Sequence, residues 1–284
     1  MNPTMTAVRA GFQRGVIELR GILTNAQDLW NYLFVPAVSL VVMFFLRGRS
    51  VPGTDFSLGS SAIPGVIGLQ VVFVGLVGLA GMLLLEREDG TLLRAKAIPN
   101  GMLGYLVGKI VQVSGVSLVS LAVILVPGMF LFDGLRLGSL GSWLTLVWVL
   151  LLGLAATMPI GAMLGSLFSS PGGIQLVMLP IMGLVAISGV FYPITGFPAW
   201  LQWIAQAFPI YWLGLGMRSA LLPDSLASVE IGDSWRHLET VGVLGVWAVV
   251  GLVLAPIVLR RMARRESGSS VAARREKAMQ QRWA

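Results

Sequence analysis

A chain of 284 residues that is 56% hydrophobic and only 12% charged, with a mean hydropathy of +0.82, lies outside the composition of soluble domains and reads as an integral membrane protein. Its seven net positive charges are not gathered in a polar domain, which argues against nucleic acid as a partner and for anchoring at a membrane surface. With no cysteine and a single histidine, His237, the chain cannot form disulfides, thiolate metal sites, a cysteine nucleophile or an imidazole cluster, and no metal site is expected.

Residues 4–24 are amphipathic. Val8, Phe12, Val16, Leu19 and Leu23 fall within one arc of a 3.6-residue helix, while Arg9, Gln13, Arg14, Glu18 and Arg20 lie off it; Ile17 breaks the pattern. The pattern predicts a helix lying in the membrane interface and leading into the first span. Six apolar runs follow, over 29–46, 62–85, 104–132, 143–168, 174–191 and 241–259, each near or above the ~18 residues that a crossing needs. The first begins behind the charged helix and no small-residue cleavage site follows it, so no removed signal peptide is expected. Lys109 is the only charged residue within the six.

An even number of crossings puts both termini on one side. If that side is the cytoplasm it carries fifteen of the twenty basic residues and leaves Arg47, Arg49, Arg136, Arg218 and Arg236 outside. The positive-inside rule therefore predicts a multi-pass protein of the cell membrane with both termini and the 86–100 loop cytoplasmic. Residues 192–217 are uncharged, but Pro193, Pro198 and Pro209 interrupt them, and Trp200, Trp203, Tyr211 and Trp212 favour the membrane interface. Counting this stretch as a crossing would put the basic tail, 260–284, outside. It is read as short re-entrant helices dipping into the outer leaflet.

Each run contains a proline (Pro36, Pro64, Pro127, Pro159, Pro180, Pro256), which bends a helix and suits spans that shift against one another, although proline is common in membrane helices generally. Gly104 and Gly108 form a Gly-x-x-x-Gly pair, as do Gly161 and Gly165, and such pairs let helix backbones approach closely. Gln70, Gln112 and Gln175 are the polar groups expected at membrane depth and are candidates for a substrate route. No paired acids or serine–histidine set lies within the runs, and no Gly-x-x-x-x-Gly-Lys-Ser/Thr phosphate loop occurs anywhere. The chain is thus not expected to be an enzyme or to bind ATP itself, and the energy for any transport must come from elsewhere.

Between the second and third runs lies a charged island, Glu86-Arg87-Glu88-Asp89-Gly90-Thr91-Leu92-Leu93-Arg94, continuing to Ile98-Pro99. Apart from Lys109, nothing else between Gly59 and Asp133 is charged, so the island must face water or a polar partner. Glu-x-Glu-x-Gly-Thr-Leu followed by a proline, directly after the second span, resembles the first cytoplasmic loop of ATP-binding-cassette permeases of the type-2 exporter family. The resemblance extends to the interfacial N-terminal helix, the six spans, the Gly108-Lys109 pair early in the third, and the Pro- and aromatic-rich segment before the last. It departs from the family at Leu93-Arg94, where members often continue with Glu and a second Leu.

The resemblance implies an all-helical permease that pairs with a second copy or a related chain and with two separate ATPase subunits, which would bind ATP and magnesium. A short helix starting near Glu86 would dock into the ATPase and transmit its closure, with Glu86 to Arg94 as the coupling residues. In the family's terms the cargo path lies between permease chains, with Phe191, Tyr192, Phe197, Trp200, Tyr211 and Trp212 near its outer gate. The scarcity of ionisable residues in the spans, Lys109 apart, favours a small lipophilic cargo such as a drug, antibiotic or lipid. The alternatives are a polysaccharide or glycolipid exporter, or a membrane component with no transport role.

Overall fold

The computed structural model describes residues 2–50, 56–168 and 171–265, so the part of the expected basic tail beyond Arg265 lies outside the described residues. Helix α1, Pro3–Thr24, starts where the Asn2 side chain accepts from the Thr4 amide (3.1 Å), with Pro3 at its first position. Asn25 ends it and at once opens α2, Ala26–Leu46, its side chain accepting from the amides of Gln27 and Asp28. One asparagine thus makes the bend between the two helices.

Ser57 caps α3, Leu58–Val72, which passes through a π-helical segment, Phe73–Gly78, into α4, Leu79–Glu88. Beyond them come a short α5, Thr91–Lys96, and the long α6, Gly101–Leu131. Ser139 caps α7, Leu140–Leu167, and α8 covers Pro171–Ile187. Two short helices, α9 (Ala199–Ala207) and α10 (Pro209–Leu221), break at Phe208, where Pro209 cannot continue the preceding helix. The last helix is α11, His237–Arg265.

Among the described residues five helices are long and apolar enough to cross a bilayer: Ala26–Leu46, Leu58–Arg87, Gly101–Leu131, Leu140–Leu167 and His237–Leu259. The protein is therefore a multi-pass membrane protein with an all-helical body. The predicted run 174–191 falls mainly on α8, whose 17 residues rise about 25 Å, short of the ~30 Å hydrocarbon core. Six spans were expected, and length and composition support five. All six span prolines lie inside helices.

The helices meet where side chains are smallest. A Cβ on Gly11 or Gly15 of α1 would strike the carbonyls of Gly104 or Gly108 of α6, so two Gly-x-x-x-Gly pairs face each other. Gly161 and Gly165 of α7 press in the same way on the backbone of Gly75, Leu76 and Ala80. The centre of the body is α10, packed on α3 and α7, with Tyr211, Leu213, Leu215, Met217 and Leu221 fully buried. By contrast α2 and α11 turn most of their apolar surface outward, as lipid-facing helices do (Phe45 77%, Val246 62% and Val249 62% exposed).

One end of the bundle carries α1, the charged island and the close of α7. The other carries the end of α2, the start of α3, the α6–α7 turn and residues 188–236; the Arg136–Asp224 ion pair (2.5 Å) and the Arg136 amide on the Leu221 carbonyl (2.8 Å) tie the α6–α7 turn to the segment after α10.

Candidate functional site

At the end of α4 the chain turns sharply. Gly90 adopts a left-handed conformation (φ 78°), which glycine reaches without a Cβ penalty, and the Asp89 carboxylate accepts from the Thr91 amide (2.8 Å) to start α5. The short helix therefore begins at Thr91. The sequence suggested a start near Glu86, but Glu86, Arg87 and Glu88 complete α4, because the last turns of a membrane helix remain helical after the chain becomes charged. The side chain of Glu88 lies outside the described residues.

The island divides into an inward and an outward face. Glu86 turns inward: one carboxylate oxygen meets Lys109 Nζ at 2.5 Å and Arg14 at 3.9 Å, and the other accepts from the Tyr105 hydroxyl at 2.5 Å. Lys109 also meets Glu18 (2.8 Å) and donates to Gln112 (2.7 Å), and Arg14 meets Glu18 at 2.6 Å. Two acids and two bases thus bind α1, α4 and α6 into one unit, with Lys109 almost wholly buried and its three ammonium donors all engaged. Burial raises the Glu18 carboxyl, but the hydrogen bonds from Lys109 and Arg14 outweigh it and hold the group below its usual value.

Arg87 also turns inward and donates to the carbonyls of Gly165 (3.4 Å), Ser166 (3.3 Å) and Phe168 (2.8 Å), capping the end of α7. Leu92 is buried, Thr91 and Leu93 are half-buried, and Asp89 and Arg94 are exposed. Arg94 donates to the Thr91 hydroxyl (2.8 Å), and beside it the apolar Ile98 is 61% exposed. Arg14, Glu18 and Tyr105 were not foreseen as site residues. The signal was Lys109, since a lone charge at membrane depth requires a counter-ion.

The three glutamines have different surroundings and none lines either of the two larger cavities. Gln70 is buried and donates to the Tyr32 carbonyl (3.5 Å), Gln112 belongs to the ion cluster, and Gln175 is exposed.

At the opposite end a cleft of about 690 Å³ opens between the start of α3, the turn after α8, and residues 226–235, with Phe191 and Tyr192 in its wall. Tyr192 and Phe197 meet edge to face at 5.7 Å, and Trp200 is exposed nearby on α9. Tyr211 and Trp212, expected near the same gate, are buried in α10, where the Trp212 indole donates to the Gln206 carbonyl (2.6 Å). The floor holds a second buried ion pair that the sequence did not disclose: Arg218 grips Glu230 with two nitrogens (2.6 and 3.3 Å) and donates a third bond to the Gly189 carbonyl (2.8 Å). The sequence places Arg218 on the non-cytoplasmic side and gives no sign of its partner.

Among the described residues no three acidic or imidazole side chains gather as metal ligands. The ion cluster is internally neutral and holds helices together. Outside the cluster, Asp89, Arg94, Lys96 and Ile98 are exposed. No curated protein matches the chain. Residues 49–257, from just beyond α2 to well along α11 and including the island, Lys109, Arg218 and the cleft beside Tyr192, match the ABC-2 family transporter proteins, and the chain belongs to that family.

Proposed function

We propose that this chain is the permease subunit of an ATP-driven exporter of the cell membrane. It works beside a second copy or a related chain and two separate ATPase subunits that bind ATP and magnesium. The observation that carries this reading is α5: a short helix held beyond the end of a membrane span by a left-handed glycine, with its base fixed to α1 and α6 by buried charges. A push on the exposed Arg94 and Ile98 would pass through α4 and the Glu86–Lys109 pair into the bundle.

In this reading α8 makes a sixth, short crossing, both termini and α5 are cytoplasmic, and α9 and α10 enter the outer leaflet from the far side. The cleft walled by Phe191 and Tyr192 would then face the release side. The spans bring only paired charges to membrane depth, which favours a lipophilic cargo such as a drug, antibiotic or lipid over a polysaccharide.

The test is to purify the tagged chain from its native host in mild detergent, identify what accompanies it and assay ATP hydrolysis, with Arg94→Glu and Ile98→Asp beside the native protein. The expected result is an ATP-hydrolysing subunit that co-purifies with the native chain and is lost from both variants while their unfolding midpoints stay unchanged. A chain that emerges alone, even after cross-linking, would replace the exporter with a membrane component that has no transport role.

A further inference from the structure

A second cavity, of about 340 Å³, lies inside the chain between α4, α6, α7 and α11, in the half of the bundle nearer the ion cluster. Its volume is at the lower end of the ~300–1,000 Å³ of small-molecule pockets. Its wall is almost entirely apolar, and Ile110, Leu151 and Leu252 at its edge are all more than half exposed on the outer surface of the bundle. In a membrane that surface meets lipid, so the cavity is entered sideways from the hydrocarbon.

The polar groups it offers are few. Lys109 lies in the wall, but its donors are committed to Glu18, Glu86 and Gln112, and the cluster around it is neutral. An anionic ligand therefore gains nothing there. Pro159 of α7 and Pro256 of α11 are also in the wall, and each proline lacks the N–H that would bond the carbonyl four residues earlier. Those carbonyls belong to Ala155 and Leu252, which line the same cavity from two different helices. Where such a carbonyl reaches the cavity, it accepts from a ligand that brings a donor. The Ser114 hydroxyl stands in the third wall.

We propose that this cavity is a binding site for a neutral lipophilic molecule carrying a hydroxyl group, housed within one chain and entered from the bilayer. It is separate from the outer cleft, and no residue lines both. A ligand there would touch Tyr105 and Lys109 and so bear on the cluster that anchors α4 and α5.

The probe is hexadecanol bearing a photoactivatable diazirine, applied to the purified chain in detergent, with the labelled positions mapped by mass spectrometry. Labelling should concentrate on the 110–114, 151–155 and 252–256 segments and be displaced by excess unlabelled hexadecanol but not by hexadecanoate. Ala155→Phe, which fills the cavity, should lower it about tenfold, equivalent to roughly 1.4 kcal/mol of binding. Ser114→Leu is a milder second variant should the first fail to fold.

A lipid co-extracted with the native chain and missing from the filled variant would identify the bilayer as the source. Saturable labelling without such a lipid would identify an added lipophile. Labelling spread evenly onto the lipid-facing Val246 and Val249, displacement by hexadecanoate as strong as by the alcohol, or labelling indifferent to both variants would overturn the proposal. The measurement needs no ATPase, so the site stands or falls independently of the exporter reading.

Discussion

Lys109 is buried between two carboxylates that come from helices far apart in the chain, and its removal would leave the partly buried Glu18 and Glu86 with Arg14 as their one counter-charge. Lys109→Met should therefore destabilise the detergent-solubilised chain by about 3 kcal/mol, read from its unfolding midpoint, because breaking one partner of a buried pair strands the other charge. Adding Glu86→Gln to the same protein should recover most of the loss, since Arg14 and Glu18 still pair with each other and no unpaired charge remains. A single variant as stable as the native chain would mean that the three side chains do not meet. The pH dependence follows from Glu18. Its folded carboxyl titrates below the ordinary 4.5, so its contribution is fully present above that value and is lost as the pH falls through the lower folded value. The native unfolding midpoint should fall on that acid side, and Glu18→Gln should make the fall shallower; identical acid limbs for the two proteins would remove Glu18 from the cluster.

Among the elements, the α1–α6 contact depends most directly on single residues. Gly11 and Gly15 meet Gly104 and Gly108 backbone to backbone, and that approach brings Glu18 within reach of Lys109. Gly11→Leu should push α1 away and cost about 1–3 kcal/mol, as overpacking of a close contact does. It should also abolish the acid sensitivity due to Glu18, a readout that a purely local clash would not change. The Gly-x-x-x-Gly at 104–108 was legible in the sequence, but its partner was not, because a small-residue face specifies close approach and not which helix approaches. The π-helical segment Phe73–Gly78 left no sequence signature either. It lies where Gly75 and Leu76 accept the close approach of Gly161, between the cleft beside Tyr192 and the α4 end that leads to α5.

At the scale of the whole molecule, α10 sits at the centre and α2 and α11 at the periphery, an order that hydropathy alone does not reveal because all three read as apolar. The broken helices of 192–217 were legible from Pro198 and Pro209. Their burial was not: Tyr211 and Trp212 look like interfacial aromatics until α10 is packed on α3 and α7. The two ends of the bundle each close on a buried ion pair, Glu86–Lys109 at one and Arg218–Glu230 at the other.

By itself the sequence determined that the chain is helical and built into a membrane, where the charged island falls, and which prolines interrupt which helices, because these depend on local hydropathy and backbone chemistry. It also carried the motif by which the family was recognised. Only the tertiary structure decided which island residues face inward, that Lys109 unites α1 with α4, that Arg87 caps α7 and that Arg218 is paired rather than exposed. Each of these depends on side chains from distant segments meeting in a medium of low polarity, where an unpaired charge is costly but the identity of its partner is settled only by how the helices pack.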